Sequence, residues 1–144
     1  MKSVQELVYC LHRKMAAAIF RRWPDKYLVC EQTVRASSHL NTLSMKAKVR
    51  CLGLEFGWIQ NVTVNLPQGS FEIGHFGVDT SMLKLGVGTT MMKAFQKRLK
   101  SCYGVGQVVF TGIRVGTDRE SFLVKLGAVR QSVPSATGLV SYLW

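Results

Sequence analysis

Val78-Asp79-Thr80-Ser81-Met82-Leu83-Lys84-Leu85-Gly86-Val87-Gly88-Thr89 leads from the end of an apolar, strand-like run, Phe71 to Val78, into a helical pattern. The pattern from Thr89 to Lys100 sets Met91, Met92, Phe95 and Leu99 on one side and Lys93, Lys97, Arg98 and Lys100 on the other. A glycine has no Cβ, so at positions 86 and 88 the backbone can approach a ligand closely. The first N–H groups of a helix lack intrahelical partners, and the helix dipole adds partial positive charge there. The segment is therefore expected to hold an anion, with a diphosphate as the natural guest. Two glycines at a strand-to-helix turn also serve tight packing of helix on strand, so the surroundings must decide.

Outward from this turn the chain reads as alternating elements. Ser3 and Glu6 form a capping-box pattern, and Val4, Leu7, Val8, Leu11, Met15 and Ile19 recur at helical spacing up to Arg21-Arg22, with Pro24 as a stop. That stripe is expected to face the core. The basic residues Arg13, Lys14, Arg21 and Arg22 suit the end of a helix dipole. Ala36 to Met45 suggests a short second helix, Val49 to Val64 two strands, and Pro67-Gln68-Gly69 a turn. Gln107 to Ile113 reads as a buried strand, Asp118 to Leu126 as a short helix ended by Gly127, and Leu139 to Trp144 as a closing strand. The order implies a mixed sheet flanked by helices, an α/β fold, with residues 1–144 as a single domain.

Around the turn, the sequence resembles motif A of the GNAT superfamily of N-acetyltransferases, in which a strand ending in Val or Ile leads through a loop to Arg/Gln-x-x-Gly-x-Gly/Ala. Phe122-Leu123-Val124-Lys125-Leu126-Gly127-Ala128 is similar to a later family signature, commonly Phe-Tyr-x-Lys-x-Gly-Phe. The resemblance is good from Glu72 to Ala128 and loose before that. It implies a GNAT-like central twisted mixed sheet and a site for acetyl-CoA or another acyl-CoA. The pyrophosphate would be held by the backbone amides of Lys84, Leu85, Gly86, Val87, Gly88 and Thr89. Phe76, Gly77 and Val78 would pair with the pantetheine amides as a neighbouring strand would.

The same resemblance implies acyl transfer from the thioester to an amine, which needs a base, since an ammonium has no lone pair. Glu72 is the first candidate, because one branch of the family carries a catalytic Glu at this distance before the Arg/Gln position; Phe71, Ile73 and Phe76 would desolvate it and raise its pKa. His75 is the second, expected by strand alternation on the face opposite Glu72. A salt-bridged strand-end Glu and a structural His are the competing readings. Two positions depart from the family pattern. Leu83 stands in place of Arg or Gln, and Leu123 in place of the Tyr that many members use as general acid; Tyr103 and Tyr142 are the substitutes within the sequence.

Composition sets the remaining expectations. The chain has 144 residues, 47% hydrophobic and 19% charged, enough to bury a core. Nineteen Lys and Arg against eight Asp and Glu leave a formal charge of +11. Such a charge attracts polyanions: nucleic acid, a nucleic-acid-binding or acidic protein, or a phosphorylated cofactor. Arg13, Lys14, Arg21, Arg22, Lys46, Lys48, Arg50, Lys97, Arg98 and Lys100 are its candidates, against the alternative of a solvated face. Cys10, Cys30, Cys51 and Cys102 have no C-x-x-C pairing, and His12, His39 and His75 are scattered, so free thiols and no metal site are expected. Charges at Glu6, His12, Arg13 and Lys14 break any signal-peptide pattern, and no run is long enough to span a bilayer, so a cytoplasmic protein without a membrane partner is expected. Two functions fit: an acetyl-CoA-dependent N-acetyltransferase acting on an acidic or nucleic-acid-associated acceptor, or a chain of this fold without chemistry, acting as a nucleic-acid-binding or structural protein, such as a phage could use.

Overall fold

Ser3 starts the first helix as its sequence implies: the Glu6 amide donates to Ser3 Oγ at 3.2 Å, and the Ser3 amide donates to Glu6 Oε2 at 3.0 Å. In the computed structural model, which describes residues 3–33, 42–65, 70–104, 107–131 and 136–144, this helix, α1, runs Val4–Arg22. The periodicity is right, but of the expected stripe only Ile19 packs against the core. Val4, Leu7, Val8, Leu11 and Met15 are all exposed, whereas Ala16, Ala17 and Phe20 are buried. The two alanines let the helix backbone come close to its neighbours, and Phe20 meets Phe56 edge-on at 5.9 Å. Small side chains do the packing that the larger ones were expected to do.

After a four-residue helix, α2 (Pro24–Tyr27), come β1 (Leu28–Thr33), β2 (Thr42–Cys51), β3 (Leu54–Asn65) and β4 (Ser70–Val78). Helix α3 (Val87–Tyr103), β5 (Gln107–Arg114), α4 (Asp118–Leu126), β6 (Val129–Arg130) and β7 (Leu139–Leu143) complete the chain. The strands form one seven-stranded sheet in the order β1-β2-β3-β4-β5-β7-β6. Every pairing is antiparallel except β4 with β5, which needs the α3 crossover between them. The mixed sheet with helices on it is the α/β architecture expected.

The expected helix at 36–45 is corrected where it can be seen. Residues 42–45 belong to β2, in which Met45, Ala47, Val49 and Cys51 are buried and Lys46 and Arg50 exposed, a period of two. Residues 36–41, and the turn expected at 67–69, lie outside the described residues. Between β2 and β3, Leu52 and Gly53 both take positive φ, 51° and 76°, the geometry of a tight hairpin turn.

Arg98 of α3 is a strap rather than a surface charge. It donates to the Leu28 and Asp25 carbonyls at 2.6 and 2.8 Å and lies 3.2 Å from Cys30 Sγ. Lys46, Lys48 and Lys97 pair with Glu31, Glu55 and Asp25. The polyanion-attracting surface expected from composition is thus smaller than the ten residues suggest. No disulfide joins the cysteines, of which Cys51 is buried, Cys10 and Cys30 half-buried and Cys102 exposed. Burial holds the Cys51 thiol above its ordinary pKa.

Candidate functional site

The turn after β4 is braced from both sides. The Asp79 amide donates to the Phe56 carbonyl at 2.9 Å. Its carboxylate accepts from the Ser81 amide at 2.9 Å and from Ser81 Oγ at 2.6 Å, starting a short 3-10 turn, Thr80–Met82. These bonds from Ser81, the side chain first and the backbone second, hold Asp79 below the usual carboxylate pKa. Helix α1 supplies two further supports: Arg13 Nε donates to Ser81 Oγ at 3.1 Å, and Arg21 Nη1 donates to the Leu85 carbonyl at 2.6 Å. The helix dipole is therefore not the main use of these arginines.

Lys84 and Gly86 both take positive φ, 67° and 76°, and the chain then enters α3 with Gly86 as N-cap and no capping side chain. The first helical bond is from the Thr90 amide to the Gly86 carbonyl at 3.3 Å. The amides of Val87, Gly88 and Thr89 thus have no acceptor within the helix. They border a cleft of about 490 Å³. Of the residues expected along the cofactor, Phe76, Gly77, Val78, Lys84, Gly86, Val87, Gly88 and Thr89 all line it. Leu85 does not; its carbonyl is taken by Arg21 and its side chain packs against the core. Gly88 also has a packing duty, since a Cβ there would stand 3.2 Å from the Phe122 ring and 3.5 Å from Val78. A diphosphate fits this start: uncapped amides, a left-handed glycine and exposed Lys84 meet at one rim.

The cleft exists because two strands part. β4 and β5 pair from Ser70↔Gln107 to Ile73↔Phe110 and no further, although β4 continues to Val78 and β5 to Arg114. Past that point β4 presents unpaired backbone to the opening. One such group, the Phe76 carbonyl, accepts from Arg119 Nη2 at 3.2 Å, with the guanidinium 5.1 Å over the Phe76 ring. Arg119 belongs to α4, whose residues Asp118, Ser121, Phe122 and Lys125 share the lining at the i, i+3, i+4, i+7 spacing of one helical face. Sequence reasoning picked out Phe122 and Lys125 within a family signature and missed Asp118, Arg119 and Ser121. That spacing was the available signal.

The catalytic candidates are not among the residues that line the cleft. Glu72 is exposed, between Thr63 and Val109, so its neighbours do not desolvate it. His75 is half-buried and paired with Gln60. Neither lines the cleft. The expectation of opposite faces also fails, because the strand changes phase between them. Phe71, Ile73 and Phe76 are buried, while Gly74 is exposed; opposite them Ile59 and Val62 are buried, with Gln60 and Asn61 exposed. Asn61 has φ 54°, and its Cβ sits 3.2 Å from where a Cβ on Gly74 would be. Both strands slip together, keeping register, and Glu72 and His75 fall on the same side. Leu123 is fully buried. Tyr103 Oη donates to Gln32 Oε1 at 2.6 Å and Tyr142 Oη to Glu120 Oε2 at 2.9 Å; neither lines the cleft as a substitute acid. Among the described residues, no cluster of His, Cys, Asp and Glu has the makings of a metal site, and no helix is long and apolar enough to cross a membrane.

A mixed sheet whose central parallel strands part beside an uncapped, glycine-led helix is the fold of the GNAT N-acetyltransferases, and solved structures agree. An aminoglycoside 6'-N-acetyltransferase complexed with coenzyme A superimposes with a TM-score of 0.58 at 15% identity, over 92% of this chain and 89% of that one. Ard1 from Thermoplasma volcanium gives 0.52 at 19% identity, over 99% and 78%. The ribosomal-protein-S18-alanine N-acetyltransferase from Escherichia coli gives 0.54 at 15%, over 72% of this chain and 66% of its own length. No family model and no curated protein matches the sequence. At these identities the likeness is one of fold.

Proposed function

We propose that this chain binds an acyl-coenzyme A, acetyl-CoA in the first instance, and transfers the acyl group to an amine. The observation that carries the reading is the uncapped start of α3 opening on a cleft bordered by the free end of β4. The amides of Val87, Gly88 and Thr89, with Lys84 beside them, would hold the diphosphate. The backbone of Phe76, Gly77 and Val78 would take the pantetheine as an added strand, with Arg119 giving up the Phe76 carbonyl. The bound thioester supplies an activated acyl carbonyl. The acceptor amine must arrive neutral or lose a proton at the site. Glu72 and His75, on one side of β4 and outside the cleft lining, would act through water, as bases for an acceptor approaching from that side. The charge of +11 favours an acidic or nucleic-acid-associated acceptor.

A second reading, a cofactor-binding or nucleic-acid-binding protein without turnover, is favoured by the buried Leu123 and by the absence of Glu72 and His75 from the cleft lining. Calorimetric titration with acetyl-CoA, CoA, ATP and a short DNA duplex at moderate salt separates these. Saturable one-to-one binding of acetyl-CoA that ATP does not match supports the cofactor site. Release of free thiol with an amine acceptor, reduced in Glu72→Gln, supports transfer. Binding no better than ATP's defeats the first reading.

A further inference from the structure

Of the cations that line the cleft, Lys84 and Lys125 are exposed and Arg119 is half-buried. Arg119 stands in the first turn of α4, where the helix dipole disfavours a positive charge. Among the described residues no carboxylate pairs with it, whereas Arg130 has Glu120 at 2.8 Å. Asp118 is the acid of the lining, but adjacent residues on a helix do not face each other, and no ion pair joins the two. What Arg119 has instead is the neutral Phe76 carbonyl and an apolar wall. The Phe76 ring lies 5.1 Å from its guanidinium, with the Phe110 and Phe122 rings 5.5 and 5.7 Å from Phe76. A guanidinium fork suits paired oxygens, and a half-buried one on a single neutral acceptor is poorly compensated.

Its place along the cofactor path says what would compensate it. The phosphate end is set by the start of α3, which the chain reaches through the loop after Val78. Going back along β4 leads away from that end, and Phe76 is the last β4 residue to line the cleft before β5 pairs again at Ile73. Arg119 therefore stands where the thioester and its acyl group would arrive. A ligand amide that bonds the Phe76 carbonyl evicts the guanidinium, so the same ligand has to offer it another acceptor. The diphosphate lies at the other end, among amides and Lys84, and an acetyl group ends in a methyl. We infer that the acyl group carried here ends in a carboxylate, so that Arg119 selects the CoA monothioester of a short dicarboxylic acid, malonyl or succinyl in length. This rests on the acyl-CoA reading of the cleft and specifies its acyl group. Arg119 would donate both arms of its fork to that carboxylate while still covering the Phe76 ring.

The test titrates the full chain with CoA, malonyl-CoA and succinyl-CoA beside propionyl-CoA and butyryl-CoA, the neutral thioesters of equal carbon count. At least one acidic thioester is expected to bind about tenfold tighter than its neutral twin. In Arg119→Gln that ratio should fall to about one. CoA itself should bind this variant no worse than the parent, because the guanidinium competes for the Phe76 carbonyl. Lys125→Gln controls for the general pull of a basic protein on one more negative charge, and it should leave the ratio within about twofold. The inference is overturned if CoA binds and neither acidic thioester outbinds its twin, or if Lys125→Gln lowers the ratio as much as Arg119→Gln does. It is overturned equally if Arg119→Gln weakens CoA as much as the acidic thioester, since the guanidinium then serves the CoA moiety. No binding of CoA at all defeats the acyl-CoA reading, and this inference with it.

Discussion

Three helices of this molecule begin in two different ways. α1 begins under Ser3 with Glu6 reaching back, and α4 under Thr117, whose Oγ1 accepts from the Glu120 amide, with Asp118 and Glu120 in its first turn. Each start caps one amide of its own first turn and carries negative charge where the helix dipole favours it. α3 begins under Gly86, with no capping side chain and no acid in its first turn. α2 likewise has no capping side chain but begins with Pro24 and carries Asp25 in its first turn, so α3 is the start left with neither cap nor acid, which is what the proposed diphosphate would supply.

The strongest way to break that contrast is to give α3 what the others have. Thr89→Glu puts a carboxylate in its first turn, where the dipole stabilises it by about 0.3–1 kcal/mol. Against a bound diphosphate the same charge is repulsive, and a loss of CoA affinity of about a hundredfold is expected. A higher thermal midpoint together with lost binding, read by scanning calorimetry and titration, is the signature; retained binding would refute the anion site. Gly88→Leu is next. It crowds Phe122 and should cost about 1–3 kcal/mol of stability in denaturant melts. Combining it with Phe122→Ala relieves the clash; CoA binding lost in the double variant but kept in Phe122→Ala alone, which also removes a ring from the cleft wall, would separate anion approach from packing. Ser3→Ala, at the capped start, should cost about 1 kcal/mol with CoA affinity unchanged.

The smallest effect is in acid. Asp79 has a depressed pKa in the folded state, so the stability it adds is complete above its unfolded pKa, about 3.9, and is lost as pH falls through the lower folded value. Thermal melts between about pH 5 and pH 3 should show that loss, and Asp79→Asn should flatten that part of the profile. Asp79 is exposed, which keeps the effect modest.

What the sequence made legible was local. The α4 helix ends where its glycine implies, with Gly127 at φ 99°, and the capping box and the cofactor turn depend on residues a few positions apart. Which side of an element meets the body was not legible. The stripe of α1 has the period of a buried face, yet two alanines and Phe20 took that role, because close approach favours small side chains over large ones. His75 was misplaced for a related reason: alternation holds only until a strand slips, and the Asn61–Gly74 slip leaves no mark in the spacing of apolar residues. Backbone-built sites survive such errors. Sites built from side chains on a strand do not, which is why the residues expected along a cofactor, Leu85 excepted, line one cleft and the expected catalytic pair does not.

The Arg119 contact with Phe76 has a consequence for solubility. Strands that part in mid-sheet create an interior edge, and bare edges recruit extended chains indiscriminately, including those of a misfolding neighbour. Proteins usually protect such edges with charge, and here a guanidinium hydrogen-bonds the Phe76 carbonyl, which β5 leaves unpaired. A stray strand pairing here would first have to expel it, and the amide-bearing ligand proposed for this cleft would have to do the same.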